Sequence, residues 1–168
     1  MIAPACSNAA GAIETGDKNM KKLLMTAVAS TALLAFGAFA QDTSSAVGLW
    51  KNIDDHTGKP KALIRISEAN GELRGKIEKL LRDPSQDQNP KCVKCQGELK
   101  DQPILGMTII NGMKKDGNEY NGGTILDPDN GKVYKSKMSL ADDGKKLNVR
   151  GYIGVPMLGR TQTWLREE

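Results

Sequence analysis

Lys132-Val133-Tyr134-Lys135-Ser136-Lys137-Met138-Ser139-Leu140, then the turn Asp142-Asp143-Gly144, then Lys146-Leu147-Asn148-Val149-Arg150-Gly151-Tyr152-Ile153 decide the fold. Successive side chains of a strand point to opposite faces, so Tyr134, Met138 and Leu140 share one side and Lys135 and Lys137 the other. The second segment repeats the division, with Leu147, Val149 and Ile153 set against Asn148 and Arg150. A turn this short cannot carry a parallel crossover, so the two strands are antiparallel neighbours with one wet face.

The same pattern extends in both directions. Candidate strands are Val47–Asn52, Lys61–Ser67, Leu73–Leu80, Ile104–Asn111, Glu119–Leu126, Lys132–Leu140, Lys146–Ile153 and Arg160–Arg166. Turn signals separate most of them: Asp54-Asp55-His56-Thr57-Gly58, Asn70-Gly71, Lys115-Asp116-Gly117-Asn118 and Asp127-Pro128-Asp129-Asn130-Gly131. Ala62, Ile64 and Ile66 of the second strand and Leu73 and Ile77 of the third extend the apolar face, while Lys61, Arg65, Arg74 and Lys76 extend the polar one. An all-β, eight-stranded antiparallel up-and-down barrel follows. Closure removes the exposed edges of a flat sheet, and the glycines within strands, at 75, 122, 123 and 151, permit the bending that a small barrel demands.

Ahead of this domain, Met20-Lys21-Lys22 is a positive start, Leu23–Phe39 is mostly apolar, and Ala38-Phe39-Ala40 has the small-residue form of a cleavage site. We read residues 20–40 as a secretory signal peptide, too short in its apolar part for a bilayer span. Residues 1–19 lack apolar periodicity and read as a misassigned upstream extension. Position 41 is Gln and not Cys, so no lipidated cysteine heads the mature chain, and the expected product is periplasmic or secreted after cleavage following Ala40. The remaining residues, 41–168, are enough for one domain and too few for two. They carry 21 basic and 18 acidic residues, well mixed along the chain, which is a solvated surface and not the basic stripe of a nucleic-acid binder.

Gly48-Leu49-Trp50 resembles the first-strand G-x-W of lipocalins and related calycins, in which the Trp plugs one barrel end and an Arg of the last strand covers it. Arg160 and Arg166 both lie on the last candidate strand, and Arg166 is assigned the role. Ile104-Leu105-Gly106-Met107-Thr108, Asn121-Gly122-Gly123-Thr124-Ile125, Gly131-Lys132-Val133-Tyr134, Val149-Arg150-Gly151-Tyr152 and Arg160-Thr161-Gln162-Thr163-Trp164 add a wider pattern. Together they resemble the bacterial secreted family called domain of unknown function 2147, similar to lipocalins in fold, across nearly all of 47–166. The resemblance implies an envelope barrel with room for an apolar ligand, and brings no catalytic residue with it.

Cys92-Val93-Lys94-Cys95 lies in the long connection 82–102 and is the one chemically pointed motif. A C-x-x-C pair can cycle between dithiol and disulfide, but a thioredoxin-like site sets its first Cys at a helix N-terminus after a strand, and Asn89-Pro90-Lys91 offers neither. In an oxidising compartment a structural disulfide is expected. His56 is the single histidine and residues 41–168 hold no third cysteine, which leaves a zinc site without ligands; no metal and no cofactor are expected. A calcium loop beginning at Asp127 would need Gly and an acid where Lys132 and Met138 stand. No nucleophile has a recognisable partner near His56, so no catalytic residue is assigned. Met107, Met113, Met138 and Met157 suit either an adaptable pocket or ordinary core.

The reading that results is a non-enzymatic periplasmic or secreted barrel binding a small hydrophobic or amphipathic ligand, its cavity lined by Ile64, Ile66, Ile77, Tyr134, Met138, Val149 and Ile153, with Trp50 and Arg166 at the packed end. Neither nucleic acid nor stable membrane insertion is expected. Two alternatives stand beside it: a thiol-redox protein working through Cys92 and Cys95, and a filled structural or partner-binding barrel.

Overall fold

The computed structural model describes residues 42–168; the expected signal peptide, 20–40, and the expected upstream extension, 1–19, lie outside these residues. Eight strands are present: β1 (Gly48–Ile53), β2 (Pro60–Ala69), β3 (Glu72–Leu80), β4 (Thr108–Asp116), β5 (Glu119–Asp127), β6 (Lys132–Ala141), β7 (Lys146–Tyr152) and β8 (Arg160–Arg166). Each pairs antiparallel with the next and β8 pairs with β1, closing the barrel. Turn chemistry sets the registers. Asn70 and Gly71 both take positive φ, 55° and 76°, the two-residue turn whose twist matches its flanking strands, and Ala69 therefore faces Glu72.

Seven strands fall within two residues of their expected bounds, and one is displaced. Ile104–Asn111 reads as a strand, yet β4 begins at Thr108 and runs to Asp116. Ile104 instead donates its N–H to the Pro90 carbonyl, and Gly106, at φ 84°, turns the chain so that its N–H meets the Ile77 carbonyl. At the far end Gly112, at φ 67°, interrupts the alternation without ending the strand, which continues through Lys114↔Asn121 to Asp116↔Glu119.

The two ends of the barrel are unlike. At one end lie the tight turns 70–71, 117–118 and 142–145, and there the segment before β1 crosses the base. Ala46 donates its N–H to the Tyr120 hydroxyl at 3.1 Å, and Trp50 donates its indole N–H to the Ala46 carbonyl at 2.8 Å. The Arg166 guanidinium lies 4.2 Å from the Trp50 ring centroid and donates to the carbonyls of Gly144 (2.6 Å), Ser45 (2.6 Å) and Val47 (3.0 Å). Ile66, Ile110, Met113, Met138 and Leu147 fill the interior behind this plug. The opposite end carries the longer connections, 54–59, 81–107, 128–131 and 153–159, and stays open.

Candidate functional site

A cavity of about 670 Å³ occupies the open half of the barrel. Its inner wall is apolar: Ala62 and Ile64 of β2, Ile77 of β3 and Val149 of β7 line it, and Ile109 of β4 joins them beside the buried Ile110 where the β3–β4 register shifts. Trp164 is the deepest of the β8 residues in the wall, below Gln162 and Arg160 on the same face.

The expected lining residues divide between cavity and core. Ile64, Ile77, Tyr134 and Val149 line the cavity. Ile66 and Met138 belong to the filled core behind the plug and do not line it. Ile153 also lines it, but from the rim: β7 ends at Tyr152, Gly154 bends the chain at φ 73°, and Ile153 borders the mouth 68% exposed, with the inward β7 position nearest it taken by Gly151. Of the methionines, Met107, Met113 and Met138 are buried and Met157 is exposed.

A chain of polar side chains joins β1 to β8 along one wall. Asn52 donates its amide to Gln162 Oε1 at 3.0 Å, and Gln162 Nε2 donates to Asp55 Oδ1 at 3.3 Å. Arg160 donates Nε to Asp55 Oδ2 at 2.5 Å, and its Nη2 lies 3.2 Å from His56 Nε2. The Arg160 hydrogen bond holds the Asp55 carboxyl below the usual carboxylate range, against the opposing effect of burial. Across the mouth, Lys61 at the start of β2 pairs with Asp129 of the β5–β6 turn. Within β6, Ser136 sits on the interior face between Tyr134 and Met138, its hydroxyl buried and without a protein partner among the described residues.

The polar wall was not anticipated. Gln162 alone gave a signal, since alternation places it on the face of Trp164; Asn52 and Asp55 meet it only through the closing register, which strand patterns do not encode. Sequence reasoning assigned Arg166 and not Arg160 to the Trp50 end without fixing the strand register. The pairing Trp50↔Arg166 fixes it, placing Arg166 over the indole and Arg160 at the mouth.

Cys92 and Cys95 form a disulfide, and both residues are buried in the core cluster. The connection carrying them is pressed against the β5–β6 turn: Cys92 Sγ lies 3.4 Å from the Pro128 carbonyl oxygen, and Gly131 abuts the Lys94 carbonyl with no room for a Cβ. Thiol exchange requires an attacking thiolate to reach a sulfur, which this burial opposes. The Asp127–Gly131 turn is tied by its own side chains, with Asp127 accepting from the Asp129 N–H and the Asn130 amide. Among the described residues no group of three or more His, Cys, Asp or Glu is placed to hold a metal ion.

Residues 48–166 match the family model described as "Uncharacterized protein conserved in bacteria (DUF2147)". No curated protein matches the chain. Among solved structures, the chain resembles that titled "Protein HP1028 from the human pathogen Helicobacter pylori belongs to the lipocalin family", with a TM-score of 0.61, 19% identity, and coverage of 74% of this chain and 84% of that one. At that identity the likeness shows the fold. By its family match over the whole barrel, from Gly48 to Arg166, this chain belongs to the bacterial family DUF2147 and has a lipocalin-like barrel.

Proposed function

We propose that this protein binds, without transforming, one small amphipathic molecule in the open half of its barrel, and that it works in the periplasm or outside the cell. The observation that carries the reading is a cavity of about 670 Å³ with an apolar floor and a polar wall near its mouth. That volume falls within the roughly 300–1,000 Å³ of small-molecule sites, which combine mostly apolar lining with a few placed polar groups. The apolar part of the ligand goes inward against Ile64, Ile77, Val149 and Trp164; its polar end stays near Gln162, Asp55 and Arg160. His56 touches Arg160, and the cavity wall contains no Ser, Thr or Cys to act as a nucleophile beside it, which favours binding over hydrolysis.

Native mass spectrometry of protein purified from the periplasm, before and after organic extraction, tests this. An extra mass lost on extraction identifies the cargo class. The companion experiment is uptake of an environment-sensitive apolar fluorophore and its displacement by single-chain amphiphiles. Val149→Trp, which fills the cavity from its wall, lowers fluorophore affinity at least about tenfold, as expected when apolar contact area is lost. A bare mass together with no fluorophore uptake overturns the proposal in favour of a filled structural barrel.

A further inference from the structure

The β7–β8 connection does something that folded surfaces avoid. Ile153-Gly154-Val155-Pro156-Met157-Leu158 places four large apolar side chains in solvent, with Ile153 68%, Met157 88% and Leu158 82% exposed. Single exposed apolar residues are ordinary, but contiguous ones mark contact surfaces. This tip is held outward. Arg150 of β7 donates Nε to the Pro156 carbonyl at 2.7 Å, Nη2 to the Met157 carbonyl at 3.1 Å, and Nη1 to the Thr161 hydroxyl at 2.7 Å. The tip thus stands on a stapled base, its apolar groups displayed without further ordering.

Two further observations say what covers it. The first is continuity. Leu158 and Ile153 border the cavity mouth, and Ile153 also borders a shallow hollow shared with Leu99 and Val133, so the apolar rim extends from the tip towards the disulfide loop. The second is charge. From Lys132 to Trp164 the only acids are Asp142 and Asp143, which lie at the plugged end with Lys145, while Lys132, Lys135, Lys137, Lys146, Arg150 and Arg160 are basic; of the aspartates at the mouth, Asp129 is paired with Lys61 and Asp55 with Arg160. Lys137, Lys146 and Arg160 have acidic partners, whereas Lys132, Lys135 and Arg150 make no ion pair among the described residues. A protruding apolar tip beside unpaired cations fits a surface with an apolar interior and an anionic face.

We propose that the β7–β8 tip and the adjoining basic face of β6 and β7 dock the open end of the barrel on an anionic phospholipid surface. Met157 and Val155 enter among the acyl chains, and Lys132 and Lys135 lie at the phosphates. The contact proposed is peripheral, through the exposed tip and the outward cations of β6. This goes beyond the binding proposal and does not depend on it.

The test is co-flotation of the disulfide-bonded mature protein with phosphatidylglycerol vesicles and, separately, with phosphatidylcholine vesicles. Preferential flotation with phosphatidylglycerol, weakened by added salt, is expected. The double variant Val155→Asp/Met157→Asp lowers the partition coefficient at least about tenfold, and Lys132→Glu/Lys135→Glu removes the lipid preference. Neither pair lines the cavity, so melting temperature and fluorophore uptake measured without vesicles stay at wild-type values; their loss with flotation intact would count against the cavity alone. Failure of the wild type to float with phosphatidylglycerol, or flotation of the double variant like wild type, overturns the proposal. So does a protein captured through Val155 and Met157 in the absence of vesicle binding, which reassigns the tip to a protein partner.

Discussion

Replacing Arg166 by Ala removes the cover of the plugged end, and the cost can be worked from its contacts. Three carbonyls, those of Gly144, Ser45 and Val47, lose a charged donor within 3.0 Å, and the Trp50 ring loses a cation 4.2 Å from its centroid. Net hydrogen-bond contributions of about 1 kcal/mol each and a cation–π contact of about 1 kcal/mol sum to about 4 kcal/mol. Burial already holds the Arg166 pKa below its ordinary value, a sign that desolvation offsets part of that gain, and water reaching the vacated carbonyls recovers more. We expect about 3 kcal/mol, or roughly 10 °C in melting temperature for a domain of this size. Arg166→Lys keeps the charge but not the planar fork, and loses about half as much. Arg160→Ala, which breaks one surface ion pair, costs about 1 kcal/mol or less. Thermal and urea unfolding of the three variants beside wild type decide the matter. An Arg166→Ala loss below about 1 kcal/mol, or a larger loss for Arg160→Ala, refutes the assignment of Arg166 to the plug.

Three further outcomes are expected. Replacing both Cys92 and Cys95 by Ala opens a bridge of sequence separation 3, and chain entropy for so short a loop sets the loss near 2 kcal/mol by urea denaturation, with fluorophore uptake retained. Gly131→Ala places a Cβ into the Lys94 carbonyl at a φ of 72°, costs about 2–4 kcal/mol, and exposes 82–102 to limited proteolysis; Gly58→Ala, with nothing within 4 Å of the new carbon, costs about 1 kcal/mol. The Asp55 pKa is lowered in the folded state, chiefly by Arg160, so its contribution is present above the unfolded value of about 3.9 and is lost as pH falls through the folded one. Because the Asp55 and Arg160 side chains are 34% and 54% exposed, solvent limits that contribution to about 1 kcal/mol or less, and Asp55→Asn should flatten the acid limb of a stability–pH curve by no more than this.

Strands were legible where short-range chemistry determines them. Asn70-Gly71 and Asp142-Asp143-Gly144 specify tight turns whatever lies elsewhere, and the alternation between them marks inside from outside. Legibility fails where distant contacts decide. Ile104 and Leu105 have strand composition, but the Pro90 carbonyl and the turn at Gly106 claim that stretch for the loop. Ile153 follows the inward alternation of β7 in sequence and lies past its end in space. The division of the interior into plug and cavity was equally hidden: Met138 and Tyr134 share a strand face, and only the segment crossing beneath Trp50 determines which half is filled. Gln162 was detectable as a polar residue on an apolar face, whereas its partners come from the other end of the chain.

The backbone ladder joining β1 to β8 comprises Trp50↔Arg166 and Lys51↔Leu165, while β6 and β7 share seven such pairs. Towards the mouth the joint is continued by Asn52 with Gln162 and Asp55 with Arg160. A hoop under strain yields at its weakest joint, and here that joint is hinged at the plug and laced by side chains beside the cavity. Side-chain laces can part and rejoin without breaking a strand, and the Asp55–Arg160 lace responds to salt and acid as amide ladders do not. Along this line the girth of the bore is set by side chains and not by amides, so we expect a cargo wider than the cavity to enter by unlacing β1 from β8, with the other seven strand pairings left intact.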